Sequence, residues 1–314
     1  MRPLRVAFFG SPDFALPSLE ALMARHEVVM VVAQPDKRAG RGMRVTAPPV
    51  ARLARESGLE LWQPTRLRKD EAFLSRLAAV GADVGVTAAY GRILPPPVLS
   101  APRHGVLNVH ASLLPRYRGA APIQWALIRG EDETGVTIMQ TEEGLDTGPI
   151  RLQRRTAIED GEDATALSSR LARLGAEALV ESLDLLAEGT LPLTPQDDSQ
   201  ATHAPLLTPA DGHVRWHESA REIHDRFRGV SAWPGTSFQL GDERVKVTAM
   251  TPGEGEGTGD TLPGTVVEIG AGGVIVGTGS GTVALKRVKP PGGREMPARD
   301  WANGRGVTQG TRLG

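Results

Sequence analysis

Leu4-Arg5-Val6-Ala7-Phe8-Phe9-Gly10-Ser11-Pro12-Asp13 is the stretch that decides the architecture of the first half of the chain. Leu4–Phe9 is short and apolar and stops at Gly-Ser-Pro, the pattern of a strand buried on both faces. Downstream, Pro17–Arg25 carries Leu19, Leu22 and Met23 at helical spacing, and Val28–Ala33 reads as a second buried strand. The alternation continues. Pro48–Ser57 reads as a helix, Glu60–Gln63 as a strand, Asp70–Val80 as a helix and Val84–Ala88 as a strand. Leu94–Leu99, with three consecutive prolines, reads as a rigid connection leading to the strand Gly105–His110. Such alternation predicts a doubly wound, mostly parallel α/β sheet, with ligands beyond the carboxyl ends of its strands. Gly10 is followed by Ser-Pro-Asp-Phe and not by the G-x-G-x-x-G of a dinucleotide site, so no NAD is expected.

Farther along, Val136–Gln140 and Ile150–Thr156 read as antiparallel strands around the loop Glu142–Pro149, and Asp163–Glu188 as the longest helix. Residues 190–208, rich in Pro, Thr, Gln and Asp, are the expected linker between a domain over 1–189 and a domain over 209–314. Past that linker, Ser219–Arg228 reads as a short helix. Arg244–Ala249, Gly264–Ile269, Gly273–Thr278 and Thr282–Val288 are short β-patterns punctuated by glycine. They predict a small OB-like β-barrel, with residues 253–259 as a loop.

The chain has 314 residues, no cysteine, and a net charge of −1 from 36 Lys+Arg against 37 Asp+Glu. Without Cys there is no disulfide framework, no thiolate metal site and no thiol nucleophile. The His-x-x-x-His pair His213 and His217 lies in the second domain, away from the polar cluster, and reads as surface or packing histidines, so no metal site is expected. No segment approaches the ~20 apolar residues of a membrane span. A cytoplasmic protein is expected. The overall charge gives no sign of a nucleic-acid partner, yet the cations are unevenly placed. Lys37, Arg38, Arg41, Arg44 and Arg52 face only Asp36 within residues 34–52. Beyond Val283, seven cations, among them Lys286, Arg287 and Lys289, face only Glu295 and Asp300. From charge alone, a solvated loop and a solvated terminus explain both patches as well.

The densest group of unusual polar residues runs from Asn108 to Asp146. Alternation puts Asn108 and His110 on one face of a strand end, and Asp146 follows in a Gly-rich turn. An amide, an imidazole and a carboxylate converging there would suit acyl transfer. Asn can hydrogen-bond a developing oxyanion, His can polarise a carbonyl or move a proton, and Asp can orient the imidazole or accept a proton. An amine substrate would be its own nucleophile. Taken singly, N-x-H at a strand end is more often structural, and Asp in such a turn is more often a turn former.

Asn108-Val109-His110-Ala111-Ser112-Leu113-Leu114-Pro115-Arg116-Tyr117-Arg118-Gly119, together with Gly144-Leu145-Asp146-Thr147-Gly148, resembles the signature of the 10-formyltetrahydrofolate-dependent formyltransferases. Phe8–Phe14, Tyr90–Pro95 and Gly119–Trp125 match as well, and the resemblance extends over nearly the whole chain. It implies a Rossmann-like formyltransferase domain with a C-terminal OB-like barrel. Asn108, His110 and Asp146 would be the catalytic set and 10-formyltetrahydrofolate the cosubstrate. Ser112, Leu113, Leu114 and Pro115 match the family's folate-binding stretch, and Tyr90, Gly91 and Ile93 would border the pterin, largely through backbone. The tRNA-dependent branch is the nearest in pattern. It implies methionyl initiator tRNA as acceptor, met by Lys37, Arg38, Arg41 and Arg44 in one loop and by Lys286, Arg287 and Lys289 on the barrel of a monomer. A formyltransferase acting on a small amine shares the trio but leaves the basic loop and barrel unexplained. A catalytically silent folate- or RNA-binding protein leaves the trio unexplained.

Overall fold

The structure, a computed structural model, describes residues 2–39, 44–253 and 262–314. Arg41 and most of the 253–259 loop lie outside the described residues, and the side chains of Arg38 and Arg44 are not described.

The chain divides into two compact units. The first comprises residues 1–122, 133–158 and 167–205, the second 123–132, 159–166 and 206–314. The first unit opens with β1 (Arg5–Gly10), α1 (Leu16–Arg25) and β2 (Glu27–Val32). Next come the hairpin strands β3 (Lys37–Ala39) and β4 (Arg44–Thr46), then α2 (Pro49–Glu56), β5 (Leu61–Trp62), α3 (Glu71–Ala79) and β6 (Val84–Ala88). α4 (Pro96–Leu99) makes a helical turn of the connection read as merely rigid. Pro96 and Pro97 fall in its first turn, where no backbone N–H is needed. β7 (Val106–His110), β8 (Arg118–Gly119), α5 (Pro122–Ile128), β9 (Glu133–Gln140), β10 (Ile150–Ala157), α6 (Ala164–Glu188) and β11 (His203–Ala204) complete this half of the chain.

The seven-stranded sheet has the order β10-β9-β7-β6-β1-β2-β5. From β5 to β7 every pairing is parallel, while β9 and β10 are antiparallel additions. Val6, Ala7, Phe8 and Phe9 are all fully buried, as a strand covered on both faces must be. Each such Phe contributes about 1.5–3 kcal/mol by burial. Asp70 caps α3 by accepting the Phe73 N–H at 3.0 Å, and Phe73 and Leu77 turn into the core with Phe9, Met30 and Val98. On α6, Gly175 lets the helix approach β7: a Cβ there would sit 2.7 Å from Cγ1 of Val109. The chain runs from β1 to β2 on one side and returns to β6 on the other. This puts the switch in strand order between β1 and β6, next to β7.

The stretch read as a linker does not leave this unit at once. Residues 190–205 remain with it, and β11 pairs with β8, His203 opposite Arg118. At Gly119, φ is +126° and a Cβ would lie 2.6 Å from the Ala204 carbonyl oxygen, so only glycine fits that pairing.

In the second unit, α7 (Ala220–Gly229) is followed by β12 (Thr236–Leu240), β13 (Glu243–Pro252), β14 (Val266–Gly270), β15 (Gly273–Gly277), β16 (Thr282–Lys289), β17 (Met296–Pro297) and α8 (Ala298–Arg305). The antiparallel order is β12-β13-β16-β15-β14. The tail completes a ring. The amide of Val266 donates to Thr311 O and that of Leu313 to Gly264 O, while Gln239 and Gly314 exchange both backbone hydrogen bonds at 2.7 and 2.9 Å. The hydrogen-bonded path thus returns from β14 to β12 through residues 311–314. Inside lie Phe238 and Trp301, edge to face at 5.5 Å, with Val245, Val274 and Leu285.

Candidate active site

Asn108 and His110 occupy alternate positions at the carboxyl end of β7 and share a face. His110 is buried, and its Nε2 lies 3.0 Å from the Tyr117 carbonyl oxygen. A carbonyl only accepts, so Nε2 carries the hydrogen and Nδ1 is the uncommitted nitrogen. Nδ1 faces Asp146 Oδ2 at 3.6 Å, beyond hydrogen-bond length but within reach of an ion pair. Asp146 Oδ2 accepts the Gly119 N–H at 2.8 Å. The partly buried Asn108 side chain has no hydrogen-bond partner among the described residues. The three candidate groups therefore converge as the spacing suggested. Their neighbourhood also holds the non-glycine residues in the left-handed region among the described residues: Ala89 at φ 45°, Tyr117 at 63° and Asp146 at 54°. Such conformations cost about 1–3 kcal/mol each and persist where surrounding contacts impose them.

Loops at the strand ends are stitched together. Ser11 Oγ accepts the Gln34 N–H, and Gln34 Nε2 donates to Tyr90 O, both at 3.0 Å. These contacts tie the chain after β1, β2 and β6. The Tyr90 ring packs into the core edge-on to Phe9 at 5.8 Å, and burial pushes its hydroxyl up to about 12. Tyr90 can therefore border a ligand only through backbone. Gly91 and Ile93 are exposed, and Gly91 has φ +77°. Ser112 is fully buried, its Oγ donating to Arg116 O at 2.7 Å. Leu114 is buried, Leu113 and Pro115 are partly buried, and the Leu114–Pro115 peptide is cis.

A profile described as formyl transferase matches residues 4–183, and one described as formyl transferase, C-terminal domain, matches 206–306. The chain belongs to the formyl transferase family. It is 54% identical over 309 residues to methionyl-tRNA formyltransferase of Deinococcus radiodurans, covering 98% of this chain and 95% of that protein. It is 50% identical to a methionyl-tRNA formyltransferase of Thermus thermophilus, covering 99% of both. An N-formyltransferase of Helicobacter canadensis, solved with folinic acid and dTDP-3-aminofucose, has the same fold at 16% identity. Its TM-score is 0.68, over 90% of this chain and 99% of that one.

Within this formyl transferase, Lys37 is exposed, and Arg38 stands opposite Val45 in the β3–β4 hairpin that Arg44 begins on its return strand. On the second unit, Arg287 and Lys289 are exposed on β16. Lys289 lies opposite Lys246 of β13, a like-charge cross-strand pair that destabilises unless an anion is near. Arg287 is paired with Glu295 at 2.5 Å, and Lys286 Nζ donates to Gly272 O at 2.6 Å. No group of metal-ligating side chains and no helix long and apolar enough to cross a membrane occurs among the described residues.

Sequence reasoning missed Gln34, Gln196 and Thr202. Gln34 could have been found by its place just past the end of β2, where sheet ligands sit. Gln196 and Thr202 gave no local signal, because both act across about 80 residues: Gln196 Oε1 accepts from Arg118, and Thr202 Oγ1 accepts the Tyr117 N–H at 2.8 Å.

Proposed function

We propose that this chain transfers the formyl group of 10-formyltetrahydrofolate to the α-amino group of methionine on initiator tRNA. The products are N-formylmethionyl-tRNA, which serves translation initiation, and tetrahydrofolate. One observation carries the chemistry: an unpartnered Asn108 amide beside the His110–Asp146 pair at the carboxyl edge of the sheet. The near-full-length relatives named methionyl-tRNA formyltransferase support the acceptor.

The amine attacks the formyl carbon, and the new C–N bond forms as the carbonyl electron pair moves onto oxygen. Asn108 donates to that oxygen. His110 is oriented by Tyr117 through Nε2, so it meets the reacting atoms through Nδ1. Asp146 lies beside Nδ1 and stabilises the imidazolium when a proton reaches it. When the carbonyl re-forms, the bond to the folate nitrogen breaks, and its electron pair leaves with that nitrogen. The amine nitrogen gives up one proton to the His110–Asp146 pair, and the departing nitrogen takes one up. The backbone around Ala89 and Gly91, with Ser112–Pro115, borders the folate. Ala89 and Gly91 fit that role, because both are exposed and have left-handed backbone.

Lys37, Arg38, Arg41 and Arg44 together with Lys286, Arg287 and Lys289 contact tRNA phosphates, and the protein acts as a cytoplasmic monomer. The test is incubation with 10-formyltetrahydrofolate and, separately, methionyl initiator tRNA, methionyl elongator tRNA, glycinamide ribonucleotide and an amino-sugar nucleotide. Formylation confined to the initiator is expected. No formylmethionyl-tRNA, with a known enzyme active in parallel, overturns the reading.

A further inference from the structure

Arg118 is a buried arginine at the junction of three segments. Its Nε and Nη2 both donate to Gln196 Oε1, at 3.0 and 2.8 Å, and Nη2 also meets Asp198 Oδ1 at 2.7 Å. The other end of the Gln196 amide turns toward Asp146: Nε2 donates to the backbone carbonyls of Asp146 and Gly148, at 2.8 and 2.7 Å. One side chain thus joins the guanidinium beside β8 to the loop that carries the carboxylate. A few residues on, Thr202 Oγ1 accepts the amide of Tyr117, whose carbonyl holds His110, and Thr202 O accepts that of Arg118.

We infer that residues 196–202 form a strap that sets the separation of His110 and Asp146, with Gln196 as a positioning residue for the Asp146 loop. The strap rests on the function proposed above only for its catalytic consequence. Asp146 sits at φ 54°, a conformation its backbone does not prefer. Its carbonyl and that of Gly148 are gathered onto one NH2 group. That amide is polarised from behind by Arg118, because a hydrogen bond from an ionised donor is stronger than a neutral one. A glutamine suits the place because its two ends have opposite hydrogen-bond character. Oε1 must accept from a cation while Nε2 donates to two carbonyls.

Gln196→Glu separates the two halves. Glutamate still accepts from Arg118, so the cation stays paired, but it cannot donate, and it places negative charge against both carbonyls. The measurements are hydrogen exchange of the full-length protein without substrates, and steady-state formylation of methionyl initiator tRNA. For Gln196→Glu and Gln196→Ala we expect exchange of the Gly119 amide, which donates to Asp146 Oδ2, to rise at least tenfold, with β1 and β6 unchanged. We expect kcat to fall about 10- to 100-fold, the scale of a displaced catalytic group. KM for 10-formyltetrahydrofolate should stay within twofold, and Gln196→Asn should recover part of kcat. Unchanged exchange of the Gly119 amide in Gln196→Glu overturns the strap, and so does wild-type kcat in both variants. Exchange raised across the whole sheet overturns it as well, reducing Gln196 to a general stability role. If the unaltered protein fails to formylate the tRNA, the function reading falls, and the exchange data alone decide the strap.

Discussion

At the scale of single residues, the candidate site divides into Asn108, His110 and Asp146 and the groups that hold them. His110→Ala removes the imidazole and leaves the Tyr117 carbonyl to be satisfied by water. Turnover is expected to fall about 10²- to 10⁴-fold while tRNA binding, followed by filter retention, stays within twofold. Asn108→Ala removes the proposed oxyanion donor and is expected to cost about 10²- to 10³-fold in kcat. Asp146→Asn is the most informative change. Asn tolerates the left-handed backbone, and its amide oxygen can keep the Gly119 bond, so the melting temperature should move by no more than about 2 °C. Only the charge beside Nδ1 is lost, and single-turnover formylation should drop at least tenfold. Full activity in that variant would remove Asp146 from the mechanism. The trio itself was legible in the sequence because alternation along one strand fixes the relation of Asn108 to His110. The distance from His110 to Asp146 was not, since it depends on Gln196, Thr202 and the carbonyl of Tyr117. A backbone carbonyl leaves no trace in residue type.

Elements were legible in proportion to how fully they are buried. β1, β2, β6 and β7 are apolar runs and stood out. β12, with the sequence Thr-Ser-Phe-Gln-Leu, has Phe238 as its one large core residue, and α8 is a polar octet that buries Trp301. Neither carried enough periodicity to be read. Polar ties between elements can still be tested. The Glu60 carboxyl, just before β5, accepts Arg76 of α3 at 2.5 and 2.8 Å and the Trp62 indole N–H at 2.8 Å. Chiefly through the Arg76 hydrogen bonds, it is lowered from 4.5 to about 2. The folded value lies below the unfolded one. The contribution is therefore complete above pH 4.5 and lost as pH falls toward 2. The pair is largely exposed, which limits it to about 1 kcal/mol. Glu60→Gln should flatten that part of the urea-stability profile, and an unchanged acid limb would dismiss the tie. Beside β16, Glu295→Gln should release Arg287 and tighten tRNA binding roughly two- to fivefold at low salt, the scale of a surface ion pair. A gain that persists at high salt would contradict the phosphate-contact reading.

For the molecule as a whole, a net charge of −1 conceals two basic stretches of sequence that an acidic remainder cancels. The partition into two units is likewise less linear than the composition suggested. The second unit takes in residues 123–132 and 159–166, which interrupt the first unit. Gly229 of α7 shows why. A Cβ there would lie 2.6 Å from Ile128 Cγ1 and 2.9 Å from the Gln124 carbonyl oxygen, so α5 and α7 are in van der Waals contact. No composition boundary reports a helix that packs about a hundred residues downstream. Deleting residues 311–314 should expose the amides of Gln239 and Val266 to fast exchange while Val6–Phe9 remain protected. Retained protection at both would show that the ring stands without its tail.

That closing tail also imposes an order on the protein's synthesis. The parallel sheet owns all its strands once residue 157 has left the ribosome, and its strap once residue 204 has. The barrel strands β12–β16 are finished by Lys289, yet the gap between β12 and β14 stays open until residues 311–314 clear the exit tunnel. The nascent chain therefore carries a completed seven-stranded sheet while the edges of β12 and β14 are still unsealed. Residues 311–314 are the ones that seal them.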